Sequence, residues 1–312
     1  MKVLVTGGAG FIGSHVVDVL VDTGHEPLIL DVIDSPWHDP AEFETVIGDL
    51  TDVAAVARAA RGCDAIAHLA AIADVNHVAA DPAYAQRVNA GGTANVLEAA
   101  RTEGLARVVY ASTIWVYDGC DAASVDEDSL LALPRHPYTA QKIAGEMYCT
   151  SYAELYDVDY TILRFGIPYG PRARPAAVIP QFFKNALAGR PLTIAGGGKQ
   201  SRRFTYVGDI ARGVVAALAP QARNRVYNLV SEETVTILEL ATAVSEIVGD
   251  TDILHTPGRA GDFRGAEISS VRIARELGWR ASTSLAEGLA LYFDWLAGET
   301  AVDADPDPDP VG

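Results

Sequence analysis

Tyr138 and Lys142 are the residues of this sequence best suited to proton transfer. They lie four apart in a segment whose pattern predicts a helix over residues 138–156, and residues at that spacing share one helix face. An ammonium beside a phenol favours the phenolate, so we expect Lys142 to lower the pKa of Tyr138 from about 10 toward the working pH. The pair predicts a general acid/base. The alternative is a surface contact between a Tyr and a Lys.

Two hydroxyl side chains, Ser112 and Thr113, stand at the end of a strand predicted over residues 107–111. The carboxyl edge of an open α/β sheet is where ligands bind. A hydroxyl there can bridge a substrate oxygen and Tyr138. Ordinary capping by Ser or Thr is the alternative, and these two residues taken alone favour it.

A glycine-rich turn forms a second candidate site near the start of the chain. Gly7, Gly10 and Gly13 follow a strand predicted over residues 2–6 and open a helix predicted over residues 11–22. Such a turn lets the backbone approach a pyrophosphate at the positive end of the helix. A simple tight turn is the alternative, and the position directly after the first strand favours the dinucleotide site.

Asp31 closes the predicted second strand, residues 27–31, where an acid can accept hydrogen bonds from the adenosine ribose. Its carboxylate would repel a 2′-phosphate, and Val32 and Ile33 offer no cation to hold one. The sequence therefore predicts NAD rather than NADP. Asp49, after the third strand, can approach the adenine amino group or serve as an acid at a helix N-terminus, and the sequence leaves both open.

The elements that must position these residues alternate between strand and helix. Short, almost wholly apolar strands typical of a buried parallel sheet are predicted at residues 2–6, 27–31, 64–68, 107–111 and 160–165. Helices are predicted at residues 11–22, 82–101 and 138–156. This order predicts an α/β fold with a Rossmann-type, doubly wound parallel sheet.

After about residue 167, clusters of Gly, Pro and Arg mark loops between shorter elements, which predicts a second, smaller α/β lobe that binds substrate. We expect an NAD-binding domain over residues 1–166, completed by about 207–228. The substrate-binding lobe would then comprise residues 167–206 and 229–300. Residues 301–312, acidic and rich in Pro, are predicted to be a disordered tail.

The charge composition indicates which classes of binding partner to expect. The 312 residues carry 24 Lys and Arg against 41 Asp and Glu, a net charge of −17, which argues against nucleic-acid binding. Residues 1–170 hold nine of the bases and 24 of the acids, while residues 171–312 hold 15 and 17. An Arg-rich second half fits a small anionic substrate.

Three cysteines, Cys63, Cys120 and Cys149, without metal-type spacing fit a reducing compartment, so we expect a cytoplasmic protein with no metal site. Cys120 either lines the pocket or, as we expect, is a small buried thiol. No signal peptide and no apolar run of bilayer length is visible, so no membrane role is predicted.

Together these residues resemble those of a known family. The glycine turn at 7–13, the run His68-Leu69-Ala70-Ala71, the segment 88–93, the stretch Tyr138-Thr139-Ala140-Gln141-Lys142 and the run 163–166 occur together in extended short-chain dehydrogenase/reductases. The chain resembles the NAD-dependent epimerase/dehydratase family of that group over nearly all of residues 1–297. It is most similar to the nucleotide-sugar 4-epimerases.

The resemblance implies a role for each matching residue. Tyr138 would be the acid/base, Lys142 would hold the nicotinamide ribose and tune Tyr138, and Thr113 would be the catalytic hydroxyl. The cofactor-binding set would be Gly7, Gly10, Phe11, Ile12, Gly13, Asp31, Asp49, Leu50, Leu69, Ala70, Ala71, Asn89, Ser112, Tyr138, Lys142, Phe165 and Ile167. The substrate-binding set would be Thr113, Tyr138, Ile179, Arg202, Tyr206, Arg259 and Asp262, with the arginines on the diphosphate. A solvated arginine is the alternative for each of these taken singly.

Two positions depart from the family pattern. The family commonly has Asn where Ile167 stands and Asp where Arg203 stands. Ile167 cannot supply an amide to the diphosphate sugar, so phosphate binding must be arranged differently or the substrate is atypical.

The residues after Thr113 bear on the reaction. In the family, 4,6-dehydratases carry an Asp-Glu pair there, whereas Ile114 and Trp115 stand here, which disfavours elimination. Decarboxylases usually place an acid at the position of Trp115. The sequence therefore predicts an NAD-dependent 4-epimerase of a nucleotide sugar, with UDP as the expected nucleotide. The alternatives are a dehydrogenase or ketoreductase, a decarboxylase, and a non-catalytic NAD-binding regulator. The resemblance also implies a homodimer through the helices after Asp81 and at Tyr138.

Overall fold

The computed structural model describes residues 1–120, 122–257 and 267–302, with the backbone alone for 299–302. Fifteen strands occur in this part of the chain: β1 Lys2–Thr6, β2 Glu26–Asp31, β3 Thr45–Ile47, β4 Ala65–His68, β5 Arg107–Thr113, β6 Ser124–Val125, β7 Tyr160–Phe165, β8 Ile167–Tyr169, β9 Leu192–Ala195, β10 Ser201–Arg202, β11 Phe204–Tyr206, β12 Arg225–Leu229, β13 Val235–Thr236, β14 Ile253–Thr256 and β15 Glu267–Ile268.

Eleven α-helices accompany them: α1 Phe11–Asp22, α2 Val53–Ala60, α3 Val75–Ala80, α4 Pro82–Gln86, α5 Gly92–Glu103, α6 Pro137–Tyr156, α7 Val178–Leu187, α8 Val207–Ala216, α9 Ile237–Val248, α10 Val271–Leu277 and α11 Leu285–Val302. A π-helical turn over Arg87–Gly91 joins α4 to α5, and 3₁₀ turns cover Ile114–Tyr117 and Pro220–Ala222.

Seven parallel strands form the central sheet, in the order β12-β7-β5-β4-β1-β2-β3. One apolar cluster, with residues of α1 and α8, covers one face, and a second, with residues of α2, α5 and α6, covers the other. Because both faces are covered, the central strands are apolar along most of their length. The predicted doubly wound α/β fold is confirmed.

Element boundaries follow the sequence pattern closely, with two exceptions. The helix predicted over residues 82–101 is interrupted by the π turn at Arg87–Gly91. Strand β5 continues through Ser112 and Thr113, two residues beyond the predicted end, because these residues pair in register with Arg164 and Phe165 of β7.

A third apolar cluster lies in the second half of the chain, among α7, α9 and α11 and the paired strands β9 and β14. Before this cluster is complete, the chain returns to the first half, where α8 packs on α1 and β12 joins the edge of the central sheet. The domain boundaries given above stay a prediction. The predicted tail lies, apart from residues 301–302 at the end of α11, outside the described residues.

In the described part of the chain, no helix combines the length and the apolar character that crossing a membrane requires.

Candidate active site

The glycine turn packs tightly against the helix that follows it. Gly7 has a φ of +74°, and a Cβ at Gly13 would lie 2.0 Å from the carbonyl oxygen of Gly7. Gly10 is the N-cap of α1, and no side chain caps the first N–H groups of that helix. The turn therefore leaves the positive end of α1 open to an anion.

Asp31 lies beside this turn at the end of β2. Its carboxylate accepts hydrogen bonds from the N–H groups of Ala9, at 3.0 Å, and Val32, at 2.7 Å. Burial raises the pKa of Asp31, and these backbone hydrogen bonds oppose the rise. The acid is thus held at the turn, at the position expected of a ribose-binding carboxylate.

Trp37 is a contact to the turn that sequence reasoning missed. Its indole Nε1 donates to the carbonyl oxygen of Ala9 at 3.1 Å, and the Arg172 guanidinium lies 5.3 Å from its ring centre. Arg172 in turn pairs with Asp18 of α1, with 2.8 Å between Nη1 and Oδ2. The loop after β2 therefore ties the glycine turn to the segment between β8 and α7.

His68, at the end of β4, is fully buried between two threonines. Thr93 Oγ1 donates its proton to the carbonyl oxygen of Asn89 at 2.6 Å, so His68 Nε2, 3.0 Å away, must be the donor toward Thr93. His68 Nδ1 then accepts from Thr6 Oγ1 at 2.8 Å. Burial, with a contribution from Lys142, lowers the pKa of His68 to about 3, so the ring is neutral with its proton on Nε2.

Asn89 is held on both sides by protein groups. Its Oδ1 accepts from the N–H of Ile72 at 2.7 Å, and its Nδ2 donates to the carbonyl of Ile72 at 3.0 Å and to Gln141 Oε1 at 2.7 Å. Asn89 thus links the stretch after β4, which contains Leu69, Ala70 and Ala71, to the helix of Tyr138.

The other expected cofactor residues lie around the same sheet edge. Ala70 packs against Gly7, where an added Cβ would lie 2.8 Å from the Ala70 Cα. Leu50 and Phe165 are buried in the core, Ile12 packs against it, and Phe11 contacts His15 edge to face. The Asp49 carboxylate accepts from the N–H of Thr51 at 2.8 Å, whereas Asp52 caps α2.

Lys142 is buried, and its Nζ donates to the carbonyl oxygen of Ala111 at 2.8 Å. Burial lowers the pKa of Lys142 to about 8, and Glu146 opposes that shift. The ammonium therefore sits beneath the end of β5, on the face of α6 that also carries Tyr138.

The expectation that Lys142 lowers the pKa of Tyr138 is wrong for this arrangement. Burial raises the pKa of Tyr138 to about 12, and the charge that acts against this rise is that of Arg174. The physical reason is that desolvation of the phenolate outweighs the attraction of nearby cations.

The two hydroxyls of β5 have different partners. Ser112 Oγ donates to Glu146 Oε1 at 2.5 Å and is buried beneath α6. Thr113 Oγ1 accepts from the N–H of Trp115 at 3.2 Å and caps the 3₁₀ turn that follows. Thr113 therefore acts as a cap, which was the alternative interpretation of this pair. Ser112 instead bonds to Glu146 of α6.

The residues expected to bind substrate differ in their surroundings. Ile179 is fully buried in the third apolar cluster, so its side chain serves as core. Arg202 Nη1 donates to the carbonyl of Ser201 at 2.8 Å, and Tyr206 packs edge to face on Tyr169. Arg259 and Asp262 lie outside the described residues.

Both positions that depart from the family pattern have backbone or side-chain partners. The N–H of Ile167 donates to the carbonyl of Arg203 at 3.4 Å. The Arg203 side chain reaches Thr234 Oγ1 and the carbonyl of Ile268, and its Nη2 lies 3.4 Å from Glu267 Oε1. Arg203 therefore ties the junction between β10 and β11 to β15. Cys120 is half-buried rather than buried, and its Sγ donates to the carbonyl of Leu130.

Several polar residues near α6 were missed by sequence reasoning. Arg174 forms an ion pair with Asp74 at 2.9 Å, and Arg164 forms a buried pair with Glu146. A signal was available for the second pair, because Glu146 stands four residues after Lys142 and Arg164 interrupts an apolar strand. Nothing local in the sequence marks Arg174 and Asp74 as partners.

The residues present fit a dinucleotide. A Cβ at Gly7 would meet Ala70 and one at Gly13 would meet the Gly7 carbonyl oxygen, so glycine lets the turn lie close against the start of α1, and Asp31 stands beside it. From there the sheet edge leads past Ala70 and Asn89 to Lys142 and Tyr138. The adenosine half of a bound dinucleotide would thus lie near Asp31, and its nicotinamide half would lie near Lys142 and Tyr138.

Comparison with known proteins agrees with this arrangement. Residues 3–229 match the model of the NAD dependent epimerase/dehydratase family. The chain is 35% identical over 303 residues to a UDP-glucose 4-epimerase of Mycolicibacterium smegmatis, covering 93% of this chain and 96% of that protein. It is also 32% identical to a dTDP-glucose 4,6-dehydratase of Streptomyces niveus, covering 95% and 92%.

Among solved structures, the fold matches a UDP-glucose 4-epimerase of Thermotoga maritima determined with UDP-glucose. The TM-score is 0.90 at 30% identity, covering 96% of this chain and all of that one. Relatives of more than one activity match at similar identity. These matches establish the family, and they do not by themselves distinguish one reaction of the family from another. The chain belongs to the NAD-dependent epimerase/dehydratase family of enzymes, and its cofactor is NAD.

Proposed function

We propose that this enzyme is a nucleotide-sugar 4-epimerase acting on a UDP-linked hexose. The observation that carries the proposal is the placement of Tyr138 and Lys142. Both stand on one face of α6, and Lys142 is fixed to the strand that ends in Thr113. This arrangement provides an acid/base and a hydroxyl at the carboxyl edge of the sheet, where a sugar hydroxyl can be oxidised and restored.

In this reaction Tyr138 accepts the proton of the sugar 4-hydroxyl as C4 loses a hydride. Bound NAD supplies the hydride acceptor, and in reduced form the donor. Lys142, whose Nζ is fixed to the carbonyl oxygen of Ala111, would hold the nicotinamide ribose beneath the site. The 4-keto sugar turns over, hydride returns to its opposite face, and Tyr138 gives the proton back to the new hydroxyl.

The residues that follow Thr113 support epimerisation over elimination. Ile114 is buried in an apolar cluster with Val116 and Tyr117, and the next residue is the partly exposed Trp115. Removal of water from neighbouring carbons requires an acid and a base positioned at those carbons. An apolar residue and an indole cannot supply them.

The second lobe supports an anionic substrate. Arg202 ends β10 and Tyr206 ends β11, and a guanidinium pairs well with phosphate oxygens. Arg203 is already bonded to Ile268 and Thr234, so we assign it to holding the lobe together rather than to the diphosphate.

The test is incubation of the purified protein with UDP-glucose and, separately, UDP-galactose, followed by NMR of the sugar. We expect interconversion of the two C4 epimers with no net growth of the reduced-nicotinamide absorbance. Tyr138→Phe is expected to lower kcat by about 10²- to 10⁴-fold, the usual contribution of a general acid/base. Tyr148→Phe is the matched control, since Tyr148 lies on the same helix and is 38% exposed.

Other products would contradict the proposal in distinct ways. Net accumulation of reduced nicotinamide would identify a dehydrogenase or ketoreductase. A 4-keto-6-deoxy product would identify a dehydratase, and release of carbon dioxide from a uronic acid substrate a decarboxylase. Full activity in Tyr138→Phe would exclude Tyr138 as the acid/base.

We also propose that the enzyme is a homodimer through α6. Met147 is 62% exposed and Leu155 is 70% exposed on this helix, and Tyr84 of α4 is 40% exposed. Large exposed apolar side chains grouped on neighbouring helices are typical of an interface between subunits. Light scattering should give twice the mass of 33.0 kDa, and Leu155→Lys should reduce it to the single-chain value.

A further inference from the structure

A buried ion pair lies directly beneath the catalytic helix. Glu146 of α6 and Arg164 of β7 form two hydrogen bonds, 3.0 Å between Nε and Oε1 and 2.7 Å between Nη2 and Oε2. Their side chains are only 9% and 6% exposed. Burying two charges costs about as much free energy as their attraction returns, so stability alone is a weak reason for such a pair.

The pair fixes the register of α6 on β5. Lys142 bonds to the carbonyl of Ala111, and Glu146, one helical turn later, accepts a 2.5 Å bond from Ser112 Oγ. Two residues of the helix thus hold two consecutive residues of the strand. The next residue of that strand is Thr113, so a slip of α6 would move Tyr138 relative to Thr113.

Arg164 extends the same network to the turn after Thr113. Its Nη1 donates to Tyr117 Oη at 2.7 Å, and Tyr117 Oη donates to Asn228 Oδ1 of β12 at 2.9 Å. Arg164, which pairs with Glu146, therefore anchors the turn over 114–117 at its last residue, Tyr117.

Glu146 is also the negative charge in the surroundings of Lys142. Within the described residues, the titratable groups that face Lys142 or its partner come from four elements: His68 of β4, Tyr110 of β5, Tyr138, Glu146 and Cys149 of α6, and Arg164 of β7. Of these, Glu146 raises the pKa of Lys142 against the lowering by burial, and the deeply buried thiol of Cys149 adds to the rise. The histidine is neutral.

We propose that Glu146 is a positioning residue for the reaction of this site. Its carboxylate fixes α6 on the end of β5 and supplies the negative charge that accompanies the Lys142 ammonium. The inference rests on the proposed function for its kinetic consequence, whereas its effect on Lys142 can be measured in the protein without turnover.

The test uses the small number of lysines, which are Lys2, Lys142, Lys184 and Lys199. Protein labelled with ¹³C at the lysine Cε is titrated by NMR, and the Lys142 signal is assigned by its absence in Lys142→Arg. In Glu146→Gln we expect the Lys142 titration midpoint to fall below the wild-type midpoint. With UDP-glucose we expect kcat to fall on the order of 10²-fold, as for other misplaced catalytic groups, with KM little changed. The alkaline limb of kcat should move to lower pH together with the midpoint.

Glu98→Gln is the matched control. Glu98 also forms two hydrogen bonds with an arginine, Arg101, and touches α6 through Tyr152, but its side chain is 38% exposed. We expect the Lys142 midpoint and kcat of this variant to equal those of the wild type. Glu146→Asp keeps the charge on a shorter arm, so it should restore the midpoint while kcat stays lowered.

Glu146→Gln leaves Arg164 buried and unpaired, which can prevent folding. The double variant Glu146→Gln, Arg164→Gln removes both charges and is expected to fold. A lowered Lys142 midpoint in it supports the proposal. An unchanged midpoint in either folded variant, or wild-type kcat in Glu146→Gln, overturns it. If the wild type shows no epimerisation but the midpoint still falls, the proposed function fails and the electrostatic role of Glu146 stands.

Discussion

Arg174 Nη1 lies 2.9 Å from Asp74 Oδ2, and Arg174 is the cation that opposes the burial-induced rise in the pKa of Tyr138. Asp74 stands after β4 and Arg174 precedes α7, so the pair joins the two halves of the chain beside Tyr138. The charge environment of Tyr138 is thus set from the second half of the chain as well as from its own helix.

Replacement of Arg174 by Gln should therefore raise the pKa of Tyr138 further. Less phenolate is then available at a given pH, so the rising limb of the pH profile of kcat/KM moves to higher pH. We expect activity at pH 8 to fall about fivefold, the effect of losing a solvent-screened charge interaction of about 1 kcal/mol. Arg223→Gln, which breaks a comparable exposed pair with Asp159, should leave the limb in place. A limb unmoved in Arg174→Gln would contradict the prediction.

The buried neutral His68 should make the protein sensitive to acid. The pKa of His68 is about 3 in the folded protein and near 6.5 when unfolded, so the unfolded state alone gains a proton as pH falls below 6.5. The resulting stability is present above pH 6.5 and falls by about 1.4 kcal/mol for each pH unit down toward 3.

Urea unfolding at pH 7.5 and pH 5.5 measures this loss. His68→Gln should be less stable than wild type at pH 7.5, because it disturbs the bonds to Thr6 and Thr93, and should lose less stability on acidification. His255→Gln, at an exposed position, should behave as wild type. Equal pH dependence in wild type and His68→Gln would be evidence against a neutral buried ring.

Asp31 should determine the preference for NAD over NADP. Asp31→Asn removes the charge that would repel a 2′-phosphate and weakens the bonds to Ala9 and Val32. We expect NAD affinity to fall about tenfold to a hundredfold, the range for hydrogen bonds to a charged group, while NADP binding changes little or improves. Calorimetric titration with each nucleotide measures the two constants. A variant that loses affinity for both in equal proportion would assign Asp31 a structural role alone.

Gly13 should tolerate no side chain. A Cβ there would lie 2.0 Å from the Gly7 carbonyl oxygen, so Gly13→Ala must displace the turn from α1. We expect loss of detectable NAD binding and a lower Tm. Gly298→Ala, in α11 with nothing within 4 Å of the new Cβ, should keep NAD binding and raise stability by about 0.5–1 kcal/mol. Normal NAD affinity in Gly13→Ala would place the pyrophosphate elsewhere.

The elements of the nucleotide half could be predicted from sequence because their signals are local. Buried parallel strands are apolar along most of their length, and β7 and α1 begin and end where the pattern predicts. The glycine turn is equally local, since its three glycines and the helix that follows are contiguous. The end of β5 could not be predicted from local sequence, because Ser112 and Thr113 join the strand by pairing with residues of β7.

What the sequence by itself determined is the fold class, the glycine turn at the start of α1 and the shared face of Tyr138 and Lys142, all set by short-range spacing. What only the tertiary structure decided is which charged partners surround these groups and how far their pKa values shift. Arg174 and Asp74 are 100 residues apart in sequence, and Glu146 and Arg164 come from different elements. The high pKa of Tyr138 arises because burial removes water from the phenol, and burial depends on everything that packs around it rather than on the neighbouring residues of its helix.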